Sequence, residues 1–150
     1  MKTLFNLLLA VVIAGCTSSK KSNKELDISH TWLLLNGTTI TNEDTVITDY
    51  TRNQKFIKII NDTHFAFFRH DLTKGADSTN SIFVAGAGSY TLRDNDYHEH
   101  LEFINYREWE GHEFDFTLTL KGDTLIQEGR EKIEELGVDR VIIEKYVRLK

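Results

Sequence analysis

The sequence predicts an all-β fold, an antiparallel up-and-down barrel of about eight strands. Two observations carry this: from Leu26 onward short segments alternate apolar and polar residues, and turn residues separate them at close intervals. A third, the absence of any internal repeat period, argues against a stacked-repeat architecture. Eight strands joined in sequential hairpins lose their exposed edges by closing on themselves, leaving an interior that holds side chains or one small ligand. An open two-sheet sandwich is the rival arrangement, and periodicity alone does not separate the two.

The elements follow in order. Trp32-Leu33-Leu34-Leu35 opens the series, and Phe56-Ile57-Lys58-Ile59-Ile60 follows after a polar stretch that carries Ile47 and Tyr50. Asn61-Asp62 turns the chain into Thr63-His64-Phe65-Ala66-Phe67-Phe68-Arg69, a natural hairpin. Ser81-Ile82-Phe83-Val84 leads through Ala85-Gly86-Ala87-Gly88 into Ser89-Tyr90-Thr91-Leu92, where the glycines suggest a bulge, a bend or close backbone approach. Arg93-Asp94-Asn95-Asp96 is a turn signal, and the chain returns over residues 97–104. Residues 113–120 alternate cleanly, with Phe114, Phe116, Leu118 and Leu120 on one side. Lys121-Gly122-Asp123 turns them into Thr124-Leu125-Ile126-Gln127. Residues 131–136 suit a helical turn capped by Gly137, and residues 138–149 close the chain as a β-branched strand. The lack of proline removes one bar to regular pairing.

Ahead of this domain the chain reads as a targeting segment. One basic residue, Lys2, precedes an apolar run from position 4 to 13 broken only by Asn6, followed by the small pair Ala14 and Gly15. That is the pattern of a cleavable secretory signal, and it is too short for a bilayer that needs ~20 apolar residues. Ile13-Ala14-Gly15-Cys16 resembles the lipobox of bacterial lipoproteins, with Ile13 where Leu is usual. The resemblance implies cleavage before Cys16 and lipidation of its thiol, with the membrane as partner through that lipid. At roughly 0.8 kcal/mol per buried methylene, two or three acyl chains anchor a protein stably where one does so marginally. Thr17 replaces the Asp that in some such proteins specifies inner-membrane retention, which implies the outer membrane. Residues 16–25 contain no apolar period beyond Cys16 and read as a flexible tether.

The expected organisation is thus a signal peptide (1–15), a lipidated Cys16 with its tether (16–25) and one domain (26–150). Removal of residues 1–15 leaves 135, enough for a single core. Without Lys2 the balance is 17 basic against 23 acidic side chains, which disfavours nucleic acid and a polybasic membrane face. Cys16 is the sole cysteine, so no intramolecular disulfide is available.

Five ordered fragments extend the comparison: Ile59-Ile60-Asn61-Asp62-Thr63-His64-Phe65, Gly88-Ser89-Tyr90-Thr91-Leu92, His98-Glu99-His100-Leu101-Glu102-Phe103, Gly122-Asp123-Thr124-Leu125 and Glu144-Lys145-Tyr146-Val147-Arg148. With the early Trp32 they resemble small lipocalin-like, calycin-type domains found as lipoproteins in Bacteroidetes-type bacteria. The resemblance implies a calycin-like barrel with ligand binding as its inferred use and supplies no catalytic residue. In lipocalins a Gly-x-Trp motif opens the first strand and a basic residue of the last strand covers the indole. Trp32 and Arg148 stand where that pattern requires, whereas His30 replaces the glycine. A guanidinium over the indole would contribute roughly 0.5–2 kcal/mol and is expected to pin the barrel's open end.

Site candidates come from one strand. His98, His100 and Glu102 alternate and share a face, and His64 begins a neighbouring strand. With Tyr90 they are the expected ligand-binding residues if that face lines the cavity; if it points outward they are a solvated surface. Zn²⁺ binding is disfavoured, because spacing fixes no third or fourth ligand. Tyr97, Glu99, Leu101 and Phe103 share the opposite face, which looks more like the side that covers apolar neighbours. Phe65, Phe67, Phe68, Phe83, Phe103, Phe114 and Phe116 are expected as barrel core, and Trp109 as a loop residue suited to a lid or a contact. Nucleophile-elbow, phosphate-loop and His-Glu-x-x-His signatures are absent, so no enzyme, catalytic residue, metal or cofactor is expected. Two functions remain: a lipid-anchored envelope protein holding a small molecule in its barrel, or a packed barrel that serves as a protein-interaction or envelope-assembly module.

Overall fold

The computed structural model describes residues 26–42, 44–79 and 81–150; the expected signal peptide, Cys16 and the tether lie outside the described residues. Among the described residues there are nine strands: β1 (Thr31–Thr41), β2 (Asp44–Asp49), β3 (Gln54–Ile60), β4 (His64–Asp71), β5 (Phe83–Arg93), β6 (Asp96–Ile104), β7 (Glu113–Lys121), β8 (Thr124–Ile133) and β9 (Val138–Arg148). From β3 to β9 each strand pairs antiparallel with the next, and β9 returns to β1 from Trp32↔Arg148 to Ile40↔Val141. Residues 31–33 of β1 pair with β3, and residues 36–41 pair with β2. The molecule is therefore a closed eight-stranded antiparallel up-and-down barrel of lipocalin-like architecture, with β2 as an additional hairpin strand.

β2 arises where a polar stretch was expected. Val46 and Ile47 are 59% and 72% exposed, so this strand exists by pairing with β1 and has no buried face to imprint an alternating pattern. β8 likewise extends through Ile133, so the expected helical turn shrinks to a 3₁₀ turn over Glu134–Leu136. Gly137 ends it in the left-handed region, φ 64°, as a glycine cap does. β1 runs six residues beyond the short opening apolar run predicted for it, ending at Thr41.

Alternation decides which side chains enter the barrel. Phe114, Phe116 and Leu118 of β7 and Leu125 and Gln127 of β8 are buried while their neighbours are exposed or half-buried. Between β5 and β6 the register shifts at Ala87/Gly88, which leaves Glu102 without a partner in β5. That bulge reverses the facing of β6, so Leu101 is buried and Phe103 is 63% exposed. Phe68 and Phe83 also face outward, beside Ala85 and His70, and with Phe103 they form an apolar outer wall rather than the core expected of them.

One end of the barrel is sealed. Trp32, Leu34, Leu118, Leu125 and Tyr146 fill it, and residues 26–30 reach across it with Ile28 buried. The Trp32 indole N–H donates to the Ile28 carbonyl at 2.8 Å, and the Arg148 guanidinium lies 5.5 Å from the indole ring. His30 packs edge-on against the same indole at 5.9 Å. The stack expected at the open end thus closes the opposite one, because residues 26–30, the end of β9 and the β7–β8 turn, not the long loops, gather there: the Arg148 N–H donates to the Asp123 carbonyl at 2.8 Å.

Candidate functional site

The other end opens into a cavity of about 480 Å³. This falls within the ~300–1,000 Å³ typical of small-molecule sites. Its mouth is formed by Tyr50 after β2, Arg69 near the end of β4, and Tyr106, Glu108 and Trp109 in the β6–β7 loop. Trp109 ends a 3₁₀ turn, Arg107–Trp109, and packs against Phe114 at 6.1 Å between centroids. Phe56 and Phe67 stack on another part of the wall at 5.8 Å and 15°, and Tyr50 meets Phe56 edge-on at 5.7 Å.

The interior is charged as well as aromatic. Lys58 of β3 is buried and donates to Glu99 of β6 and, at 2.7 Å, to Gln127 of β8. Its ammonium also lies 5.0 and 5.1 Å from the rings of Phe65 and Tyr97. Four partners around one buried cation offset the cost of removing it from water. Higher in the barrel, Arg140 of β9 pairs with Glu131 of β8 at 2.6 Å and lies 5.4 Å from the Trp109 ring. Arg69 donates to Gln54 at 2.8 Å and lies 5.0 Å from the Tyr50 ring.

Glu144 of β9 differs from the other two interior acids. It accepts a hydrogen bond from the Tyr146 hydroxyl at 2.6 Å and, among the described residues, has no cationic side chain within ion-pair distance. Burial pushes its carboxyl up to about 7, against the pull of Lys58 and the Tyr146 hydrogen bond. Burial also raises Glu131, where Arg140 opposes it. Tyr97 and Tyr146 are raised too, first by burial and then by the neighbouring carboxylates of Glu99 and Glu144 respectively.

The expected site residues lie elsewhere. Tyr97, Glu99 and Leu101 take the inside of β6, so His98, His100 and Glu102 face away from the cavity. His98 contacts Asp115 at 2.7 Å across the β6–β7 pair, and Glu102 accepts the Ser89 N–H at 3.1 Å within the bulge. The Ser89 side chain is the first cause of the lowered Glu102 carboxyl, and the Ser89 N–H lowers it further. His64 is exposed at the β3–β4 turn beside Thr63, whose hydroxyl is 2.7 Å from its Nδ1. Tyr90 packs on Tyr97 at 5.0 Å and donates its hydroxyl to the Asn61 carbonyl, toward the sealed end. Among the described residues no three His, Cys, Asp or Glu side chains converge on a metal position.

The cavity's own polar residues, Lys58, Glu99, Gln127, Glu131, Arg140 and Glu144, carry a signal in the sequence. Lys58 lies two residues from Phe56 and Ile60, Glu99 two from Tyr97 and Leu101, and Glu144 two from Ile142 and Tyr146. In a strand these neighbours share a face, so each of these three charges lies on the same side as its apolar neighbours; Lys145, flanked by Ile143 and Val147 yet exposed, shows that the pattern groups residues on a face without saying which face is inside.

The chain matches no protein-family model, and no curated protein matches it.

Proposed function

We propose that this chain is a lipid-anchored, lipocalin-like binding protein of the bacterial envelope that holds a small molecule in its barrel. The open cavity, walled by aromatic rings and lined by polar groups that an unfilled core would not tolerate cheaply, is the observation that carries ligand binding. Anchorage rests on the Ile13-Ala14-Gly15-Cys16 signal, with residues 16–25 as the tether that follows it. Native mass spectrometry of protein purified from its own bacterium tests the binding reading. Retained mass that is released by mild denaturation is expected, and a bare polypeptide that also takes up no added small molecule would sink it. For the anchor, C16A should move the protein from the membrane fraction to the soluble one; unchanged partitioning would count against lipidation.

A second reading, a protein-interaction or assembly module, draws on the outer wall. Phe68, Phe83 and Phe103 are 42%, 65% and 63% exposed on the contiguous β4–β5–β6 surface. That surface and the cavity are separate, so partner capture and ligand uptake can be measured independently.

A further inference from the structure

We propose that the cavity's ligand class is a small organic cation: an ammonium group set on the Glu144 carboxylate, carried on an apolar or aromatic body that packs against the Tyr50, Phe56, Phe67 and Trp109 rings. This rests on the ligand-binding reading above and names its chemistry.

The charge census of the lining gives the first argument. Lys58, Arg69 and Arg140 face Glu99, Glu108, Glu131 and Glu144, which leaves the cavity one carboxylate in excess. Pairing is uneven as well: Lys58 is taken by Glu99 and Gln127, and Arg140 by Glu131 and the Trp109 face. Among the described residues Glu144 has one hydroxyl donor, although an ionised carboxylate has acceptor sites for about four. A ligand ammonium supplies the missing donors and the missing charge together.

Position supports the same chemistry. Glu144 lies opposite Gly37 in the β1–β9 ladder, and the Tyr50 ring covers that glycine; a Cβ there would stand 3.1 Å from the ring carbon. The glycine thus brings an aromatic face close to the acid, and π-faces attract cations. Arg69 is the feature that would favour an anion, but it is held by Gln54 and the Tyr50 ring at the mouth. An anion there would also meet a lining with one more carboxylate than cation. The raised Glu144 carboxyl fits a group waiting for a counter-charge: Tyr146 and Tyr50 stand around it, with Lys58, Glu99, Glu131, Arg69 and Arg140 as the charged groups of the surrounding strands.

Titration calorimetry of the full chain at pH 8 with three probes of one shape, 2-phenylethylamine, 2-phenylethanol and 3-phenylpropionate, tests the inference. The amine should bind at least tenfold more tightly than either other probe. E144Q should reduce that preference to about twofold while binding the alcohol as wild type does, which also shows that the variant is folded. A preference for the carboxylate, or a tenfold amine preference that survives in E144Q, overturns the cation assignment. Equal binding of all three overturns it too and leaves the cavity reading standing. If none binds and native mass spectrometry finds no retained mass, both fall.

Discussion

Glu144 makes the stability of the fold pH-dependent in a direction opposite to that of most acids. Its carboxyl, ordinarily near 4.5, titrates at about 7 in the folded chain. Between those values the folded protein keeps a proton that the unfolded chain has released, so stability falls as pH rises through this window and levels off above it. Glu131 is raised by burial in the same sense. Glutamine retains an oxygen for the Tyr146 hydroxyl and carries no charge. E144Q should therefore be more stable than wild type at pH 8, by on the order of 1–3 kcal/mol. Most of that difference should disappear at pH 5, where the wild-type carboxyl is largely protonated. Denaturant titrations at the two pH values check it, and an E144Q advantage that is equal at both would mean the effect is packing, not charge. Asp71 behaves conventionally. Its carboxylate ties the loop after β4 by accepting from the Gly75 N–H at 2.9 Å, the Thr73 hydroxyl at 2.6 Å and the Ile82 N–H at 3.1 Å, and the Gly75 bond is the first cause of its lowered carboxyl. Its contribution is present above the ordinary carboxylate range and is lost only as strong acid protonates it. D71N should thus speed amide exchange across residues 72–82 and leave the barrel strands protected; unchanged exchange in that loop would deny Asp71 its tying role.

Among the elements, the β5–β6 pair sets the geometry of the site. At the Ala87/Gly88 shift the two backbones approach so closely that a Cβ on Gly88 would collide with the His100 carbonyl oxygen. Backbone atoms in a ladder cannot rotate away, so G88A should cost at least about 2 kcal/mol, toward the upper part of the ~1–3 kcal/mol range for overpacking. The neighbouring G86A meets the Phe67 ring and the Phe103 carbonyl and should also destabilise, whereas Ala at the open turn position Gly111 meets nothing and strains only its φ of 82°. Equal melting of wild type and G88A would refute the bulge register. The glycine run was legible in the sequence as a bulge or close approach, because only glycine leaves that signature. What the bulge does to β6 was not: a one-residue slip exchanges inside and outside, and the pairing partner that causes it lies about fourteen positions away. Hence Phe103 reads as core beside Leu101 yet faces solvent. The histidine face of β6 drew attention by composition, but His98, His100 and Glu102 are surface groups, and Glu99, placed by alternation on the face of Tyr97 and Leu101, was not counted among the site residues. β2 was invisible for a different reason, since a strand with neither face buried has no hydropathic period. The closing pair of strands, by contrast, was readable from Trp32 and Arg148 at the two ends of the domain.

Across the whole molecule these features separate into a sealed end that holds the barrel together and an open end that offers the cavity. The chain's two tryptophans mark them: Trp32 is fully buried beneath Arg148, and Trp109 stands at the mouth on Arg140. Closure at Trp32 involves a hydrogen bond, a cation over the ring and the sealing of residues 26–30, so W32A should cost about 3–5 kcal/mol, as for other buried aromatic truncations. At Trp109 the ring is part of the cavity wall and half-buried, so W109F should change stability by less than about 1.5 kcal/mol. Fluorescence then divides the two roles. Filling the cavity should change emission through Trp109 while Trp32, at the far end, stays constant. The response to a bound phenyl probe should therefore persist in W32F and vanish in W109F. A response that survives in W109F would place the ligand near the sealed end or outside the barrel, and an unchanged melting temperature in W32A would remove the argument that this stack closes the fold.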